Sequence, residues 1–248
     1  MCYHYSLTKF ALRSENRFSA MQEDYKIIEE YDDLYHINGF QFPKLPVVAS
    51  DAPDRFQMLN WGLIPSWVKT KEEAMKFRLN TLNARSESMY EKPSYRSASK
   101  AGRRCLIPAE GIFEWQDVKK KKYPYYIHMK DNSLFYMGGI WEEWTDRDTG
   151  ETIKSFSLVT TEANPLMARI HNEGLRMPVI LPKEIELDWL NQNLSKEDVL
   201  AMAVPYAEDM MSAYTISKLI TSRTENSNIP EVKQQIVYQE LAQQQTLW

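Results

Sequence analysis

Apolar and polar residues alternate with a period of two along much of the chain, and this pattern predicts a strand-rich fold. Short turns rich in Gly, Pro, Asn and Asp separate the alternating segments. Strands are predicted at residues 3–7, 103–115 (two strands around a turn), 123–129, 134–144, 154–161 and 213–220. Helical periodicity is found at residues 7–18, 71–78, 94–101, 183–191 and 195–202, and a short helix starts at Pro165. Successive strands with peripheral helices indicate a single-domain α+β fold, mainly an antiparallel sheet or a partly closed barrel.

The last part of the chain is more polar than the rest. We expect one domain over residues 1–221 and a C-terminal extension over 222–248. Within the extension, Pro230 to Ala242 is predicted to form a helix that docks on the domain through Val232, Ile236 and Leu241.

Composition and charge limit the classes of function. With 43% hydrophobic and 12% aromatic residues the 248-residue chain can bury a core. A net charge of −4 argues against coating of nucleic acid by bulk electrostatics, so any nucleic-acid site must be a local basic groove. Neither a signal peptide nor a long apolar run is present, and we expect a cytoplasmic protein, which would be nucleoid-associated if it acts on DNA.

The spacing of the two cysteines and four histidines argues against a metal site. Cys2 and Cys105 cannot build a disulfide framework, and no histidine lies in a metal-ligand repeat. We therefore expect no metal and no cofactor.

The start of the chain has the least usual chemistry. The small residue Cys2 favours removal of Met1, which would expose an α-amine beside a thiol. Their ordinary pKa values, about 8 and about 8.5, predict that both are partly available as nucleophiles near neutral pH. An aldehyde would form an imine with the amine and then a thiazolidine with the sulfur. The alternative is an incidental cysteine in a frayed terminus.

Two residues are candidate proton carriers. Alternation puts Ile112 and Glu114 on one face of a strand, and this face is either the wet side of a sheet or a buried one where the pKa of Glu114 would rise. His171 follows a short helix, whose dipole should keep its pKa near or above the ordinary value of about 6.5. A histidine that only caps helical carbonyls is the alternative.

Aromatic and basic residues on loops are candidate DNA contacts. Trp61 and Trp67 flank a Gly- and Pro-containing turn and form either a core corner or a platform for unpaired bases. Asn83 and Arg85 lie where helical periodicity stops. Either Asn83 or Ser86 caps an ordinary helix start, or Asn83 is an orienting amide and Arg85 a phosphate contact. Residues 119–122 are four lysines, a solvated hairpin tip with weak support for phosphate contact.

Taken together, these motifs resemble the SRAP family, the SOS response-associated peptidases or abasic-site processing proteins. The resemblance covers about residues 1–220. It rests on the terminal Cys2 and on the segments Trp61–Trp67, Asn83–Glu87, Arg104–Gly111 with Phe113–Trp115, and His171 before Arg176–Leu181.

The resemblance implies an enzyme that crosslinks Cys2 to abasic sites in single-stranded DNA, with lyase-type Schiff-base chemistry and self-processing of Met1. Asn83 would orient the aldehyde and the amine, Glu114 would move protons, and His171 would assist the Schiff-base steps. The implied DNA-binding residues are Arg85, Trp67, Trp61, Arg176 and His4. The implied partners are single-stranded DNA with abasic sites and replication-fork or repair proteins, for a monomeric protein outside membranes.

The chain departs from the family pattern in three places. Tyr3-His4 replaces the usual Gly-Arg, the loop from Phe40 to Pro43 differs from the family's, and residues 172–175 lengthen the segment after His171. Two other functions stay open: a Cys-His-Asn thiol peptidase that uses Cys2 or Cys105 with His171 and Asn83, and a noncatalytic single-strand-binding module. Cys105 itself, in a predicted strand, is expected to be a buried small apolar residue.

Overall fold

Strands dominate the fold, as the alternating pattern predicts. The structure is a computed structural model that describes residues 2–14 and 27–241. Its strands are β1 His4–Leu7, β2 Leu34–Asn38, β3 Lys44–Ala49, β4 Ala52–Trp61, β5 Asn83–Arg85, β6 Arg104–Ala109, β7 Gly111–Val118, β8 Lys121–Met129, β9 Phe135–Thr145, β10 Thr152–Glu162, β11 Arg176–Pro178, β12 Ile180–Leu181 and β13 Met211–Thr215. Its α-helices are α1 Lys9–Ser14, α2 Lys71–Arg78, α3 Arg96–Lys100, α4 Pro165–Ile170, α5 Glu186–Trp189 and α6 Lys196–Met202.

Five of these strands close into a barrel. Strand β10 pairs with β4, and the ring continues through β3, β6 and β9 back to β10. All neighbours in the ring are antiparallel except β10 and β4, which are parallel. Strand β5 also runs parallel to β10, while β11 and β12 extend the sheet. The predicted α+β class with a barrel is therefore confirmed, and the barrel is closed.

A second sheet carries the start of the chain. Its order is β13-β8-β7-β1-β2, and every pair is antiparallel. Strand β1 lies between β2 and β7, with Tyr5 opposite Ile112. Tyr5 and Ile112 are both fully buried in the main core. The first residues of the chain are thus held inside the fold rather than frayed.

Local sequence explains where two helices begin. Thr70 accepts a hydrogen bond from the Glu73 backbone N–H, which starts α2 at the predicted residue. Asn164 caps α4 in the same way, and Pro165 occupies its first turn, where the missing N–H costs nothing.

Other helix predictions differ from the structure. Helix α1 begins at Lys9, and the predicted continuation beyond Ser14 lies outside the described residues. The predicted helix over 183–191 is divided into a 3-10 turn, Lys183–Ile185, and α5. No helix within the described ranges has both the length and the apolar character needed to cross a membrane.

The helix predicted over Pro230 to Ala242 is wrong for most of its length. Pro230–Lys233 is a 3-10 turn, and the chain then extends so that Gln235 bridges Ile216. Residues 239–241 are helical with Leu241 half-buried, and Ala242 lies outside the described residues. Val232 is fully buried, as predicted, but Ile236 is 37% exposed. The hydrogen bond from the Ile236 N–H to the Thr215 carbonyl continues the edge of the sheet, and this tertiary contact outweighs a marginal helical preference.

Candidate active site around Cys2

Cys2 is enclosed by protein. Its side chain is 1% exposed, and its thiol points at the His4 carbonyl with Sγ 3.6 Å from the oxygen. Burial raises the pKa of the Cys2 thiol far above its ordinary value, and the negative charge of Glu114 raises it further. The expectation of a partly ionised thiol near neutral pH is therefore wrong. The sulfur stays S–H until a base accepts its proton.

Glu114 lies on β7, the strand next to β1. It is 4% exposed, so alternation places it on the buried face and not on the wet one. Burial raises the pKa of Glu114 to about 8, which leaves the carboxyl mostly protonated at neutral pH. Its Oε1 has no hydrogen-bond partner among the described residues. The group can therefore act as a proton donor.

His171 faces this carboxyl from the end of α4. Its Nδ1 lies 2.9 Å from the Arg176 carbonyl oxygen, which can only accept, so Nδ1 carries a proton in this contact. In the neutral ring Nε2 then has the lone pair, and it lies 3.9 Å from Oε2 of Glu114. The two side chains form an acid and a base that face each other.

The predicted pKa of His171 is wrong in direction. Burial lowers the pKa of the imidazole below its ordinary value, although the hydrogen bond to Arg176 opposes the change. Helix α4 has only six residues, so its dipole is small compared with the cost of burying a charge.

Asn83 presents an amide without partners. It lies at the start of β5 and is 8% exposed, yet neither Nδ2 nor Oδ1 is hydrogen-bonded among the described residues. Its backbone oxygen accepts the Tyr95 hydroxyl at 3.0 Å. The neighbouring Leu82 carbonyl accepts from Nε1 of Trp61, whose ring centroid lies 5.4 Å from that of Tyr5 in β1. The start of β5 is therefore on the side of the barrel that faces β1.

The combination of groups is that of a site for a polar ligand. A buried polar atom left unpaired costs about 1–3 kcal/mol, so such atoms are rare unless something binds them. Here the amide of Asn83 and one oxygen of Glu114 are unpaired in the described structure, and Glu114 faces His171. The groups available are a buried thiol, an acid, a base and an amide.

The two tryptophans of the turn have different environments. Trp67 is 48% exposed, and its Nε1 donates to the Pro93 carbonyl at 3.1 Å, which fixes the orientation of the ring. Trp61 is fully buried, donates to the Leu82 carbonyl at 2.8 Å and stacks on Phe156. The prediction that Trp61 contacts DNA is wrong, because no face of the ring reaches solvent.

Of the two predicted arginine contacts, only Arg85 is at the surface. Arg85 ends β5 and is exposed. Arg176 is buried and binds Glu87 with both terminal nitrogens, at 2.8 and 2.9 Å, and also donates to the Thr160 carbonyl at 2.7 Å. The prediction that Arg176 contacts DNA is wrong. It locks β11 against β10 and so sets the carbonyl that orients His171.

His4 is also unsuited to a phosphate contact. Its Nδ1 is 2.9 Å from Nε2 of His36, and Nδ1 of His36 is 2.7 Å from the Ser227 hydroxyl. Burial lowers the pKa of His4 to about 3 and that of His36 to about 4, so both are neutral. The prediction that His4 contacts DNA as a base is wrong, because a neutral, engaged imidazole cannot replace an arginine.

Some residues that support the candidate site were not singled out from the sequence. Tyr95 and Asn172 act through partners distant in sequence, whereas Glu87, in the Asn83–Glu87 motif, and Gly174, in a turn-like Asn-Glu-Gly run, offered a local signal. A Cβ at Gly174 would collide with the His171 ring, so glycine is needed there. Asn172 ties this loop to β7: it accepts from the Asp117 N–H at 3.0 Å and donates to the Asp117 carbonyl at 2.8 Å.

The alternatives to Cys2 chemistry gain little support. Cys105 is fully buried in β6, as expected, and burial raises the pKa of its thiol. Among residues 2–14 and 27–241, no three His, Cys, Asp or Glu side chains group in a way that could hold a metal ion.

Fold and site define a class: a single-domain α+β barrel protein with a cysteine at the start of the chain beside a buried carboxyl–imidazole pair. The family model described as SOS response associated peptidase (SRAP) matches residues 1–223. The chain therefore belongs to the SRAP family, and the resemblance drawn from its motifs is confirmed.

Relatives and solved structures agree with this assignment. The chain is 35% identical over 223 residues to abasic site processing protein YoqW of Bacillus subtilis (strain 168), which covers 85% of this chain and 96% of YoqW. It is 29% identical over 198 residues to abasic site processing protein HMCES of Xenopus tropicalis, covering 72% of this chain and 57% of HMCES. A crystal structure of a protein from Bacteroides thetaiotaomicron is 38% identical, has a TM-score of 0.87, and covers 95% of this chain and 100% of that chain. Another, from Bordetella bronchiseptica, is 26% identical with a TM-score of 0.73, covering 87% and 100%.

Proposed function

We propose that this protein captures the aldehyde of ring-opened abasic sites in single-stranded DNA on Cys2 and keeps it as a thiazolidine. The relatives named above are abasic site processing proteins. The observation in this chain that carries the proposal is the buried group of Asn83, Glu114 and His171 near Cys2, with unpaired polar atoms on Asn83 and Glu114 in the described structure.

Removal of Met1 is the first requirement. While Met1 is attached, the nitrogen of Cys2 is an amide and cannot attack an aldehyde. Once it is removed, the α-amine has an ordinary pKa of about 8 and is partly neutral at physiological pH. We include self-processing of Met1 in the proposal, because Glu114 and His171 form a buried acid–base pair that could activate water, and the charge of Glu114 acts on the Cys2 thiol.

The crosslink then forms in two bond-making steps. The Cys2 amine adds to the aldehyde carbon, and the carbinolamine loses its hydroxyl as water to give an imine. The imine nitrogen keeps its proton as the hydroxyl leaves, Sγ adds to the protonated imine carbon, and the thiol proton replaces the one that left with the water. One C–N and one C–S bond form, one water leaves, and no oxidant or reductant is needed.

Glu114 can serve both steps because of its raised pKa. As a neutral acid it gives its proton to the departing hydroxyl, and the resulting carboxylate accepts the proton of the Cys2 thiol, which burial keeps as S–H. The carboxyl ends in its starting form. His171, with Nε2 at 3.9 Å, relays protons between Glu114 and the ligand oxygen. In this proposal the unpaired Asn83 amide holds that oxygen and the attacking amine.

Ring closure by sulfur favours protection of the strand over cutting. An imine is an electron sink that promotes β-elimination and strand scission. When Sγ adds to the imine carbon the sink disappears, and elimination stops. The buried site also limits access of water to the adduct.

Two exposed side chains supply DNA contacts in this proposal. Trp67 offers a ring for base stacking, worth about 1–3 kcal/mol per base. Arg85, two residues after Asn83, is placed to bind a phosphate next to the lesion.

The test is formation of a denaturation-resistant adduct. Protein lacking Met1 is incubated with a single-stranded oligonucleotide that has one abasic site, and the products are separated under denaturing conditions. We expect an adduct with the parent and with Cys105→Ala, the matched control for loss of a buried thiol, and none with Cys2→Ala. Peptide cleavage without an adduct would favour the thiol-peptidase alternative, and salt-sensitive retention alone would favour a binding module.

A further inference from the structure

The turn between β7 and β8 departs from its expected sequence. Lys119 and Lys120 form the turn, and Lys121 and Lys122 begin β8. These four exposed lysines, Lys119–Lys122, are referred to below as the lysine turn. Lys119 and Lys120 have φ values of 52° and 64°, the left-handed pair of a tight two-residue hairpin. Asn-Gly is the preferred pair at such positions, and a side chain with a Cβ is strained there. Turn geometry alone therefore does not account for lysine at these two positions.

The charges of the lysine turn are only partly balanced. Lys122 pairs with Asp117 at 3.5 Å and with Glu173. The amines of Lys119, Lys120 and Lys121 have no ion pair with any residue in the described part of the chain. Unbalanced positive charge is thus concentrated at one point of a protein whose net charge is −4.

The lysine turn lies on the same face as the proposed site. Strand β7 runs from Glu114 directly to Lys119, a distance of roughly 17 Å at about 3.3 Å per residue. The loop after His171 is fixed to the same end of β7 by the paired hydrogen bonds between Asn172 and Asp117. The ion pair of Lys122 with Glu173 adds a second connection. The lysine turn and the catalytic histidine are therefore held in one rigid arrangement.

We propose that the lysine turn binds the phosphate backbone of the DNA strand several nucleotides away from the captured lesion. The position of the lesion at Cys2 is taken from the function proposed above. At about 3.4 Å per nucleotide, the rise of a strand stacked as in a duplex, 17 Å corresponds to roughly five nucleotides, and to fewer where the single strand is extended. Lysine is a point charge without a fork for bidentate contacts, so the binding is independent of base sequence.

The variant K119N/K120G separates binding from folding. It removes two charges and at the same time installs the preferred turn sequence, so we expect equal or higher thermal stability. The matched control is K130A/K183A, which removes two exposed lysines beyond the far end of β8, about 30 Å from the lysine turn.

The first readout is the salt dependence of binding to an undamaged single strand of about 20 nucleotides. Each lost phosphate contact on a single strand lowers the slope of log K against log salt by about 0.7, so K119N/K120G should lower it by about 1.4. The control should keep the parent slope. A parent-like slope for K119N/K120G overturns the proposal, as does an equal loss in both variants, which would indicate bulk charge only.

The second readout is crosslinking on oligonucleotides with two or ten nucleotides on each side of the lesion, below saturation. We expect K119N/K120G to be slower than the parent on the long substrate only. Equal rates on both substrates would overturn the proposal and leave Cys2 chemistry intact. If the parent forms no adduct while the slope change is observed, the proposed function fails and the DNA contact stands.

Discussion

Glu114→Gln is expected to change how the stability of the protein depends on pH. Glu114 is 4% exposed, and burial raises its pKa from an ordinary 4.5 to about 8. Between these values the folded protein holds a proton that the unfolded chain has lost. The free energy of unfolding therefore falls as pH rises from about 4.5 to about 8, and is constant above that. The pKa difference of about 3.5, at about 1.36 kcal/mol for a difference of one, lowers the free energy of unfolding by roughly 5 kcal/mol over this range.

Urea unfolding of the parent and of Glu114→Gln between pH 4.5 and 9 measures this difference. Glutamine keeps the shape but does not titrate, so the variant should gain up to roughly 5 kcal/mol relative to the parent over this range. His4, His36 and His171 have lowered pKa values and reduce stability at acid pH, but both proteins contain them. Parallel pH profiles for the two proteins would refute the reasoning, because they would mean that Glu114 has the same pKa in the folded protein as in the unfolded chain.

Three further predictions concern the neighbouring residues. Gly174→Ala should slow adduct formation on the order of 10- to 100-fold in single-turnover assays, because the added Cβ displaces the His171 ring. The melting temperature should change little, and an unchanged rate would contradict the prediction. Trp67→Ala should weaken single-strand binding by about 1–3 kcal/mol, measured by fluorescence anisotropy. Trp61→Ala should instead lower the free energy of unfolding by about 3–5 kcal/mol, measured by urea titration. Weaker binding for Trp61→Ala only, or lower stability for Trp67→Ala only, would contradict these roles. Arg176→Met should lower the free energy of unfolding by about 1–3 kcal/mol, because it leaves the Thr160 carbonyl of β10 without its donor. The variant should not change the slope of log K against log salt for DNA binding. A lower slope would show that Arg176 contacts phosphate after all.

Local sequence was sufficient for much of the fold. The alternating strands, the helix over Lys71–Arg78 and the cap at Asn164 depend on interactions within a few residues, which the sequence states directly. The C-terminal helix failed because Val232 and Gln235 find partners in the sheet, and such contacts are invisible to local periodicity.

The candidate site was predictable in part for the same reason. Alternation placed Glu114 on a defined face, but only the pairing of β7 with β1 decides that this face is buried. The roles given to Arg176 and His4 were wrong because Glu87 and His36 lie far away in sequence. A family motif identifies a residue, and its partners decide whether its charge is available.

The central claim is that Sγ of Cys2 closes the ring on the captured aldehyde. An imine and a thiazolidine have the same mass, but only the imine leaves the Cys2 thiol open to alkylation. The purified adduct is denatured without borohydride, treated with iodoacetamide and weighed intact. The chain has two cysteines, so we predict one alkylation, on Cys105. Two alkylations, or an adduct that survives denaturation only after borohydride reduction, would contradict the account.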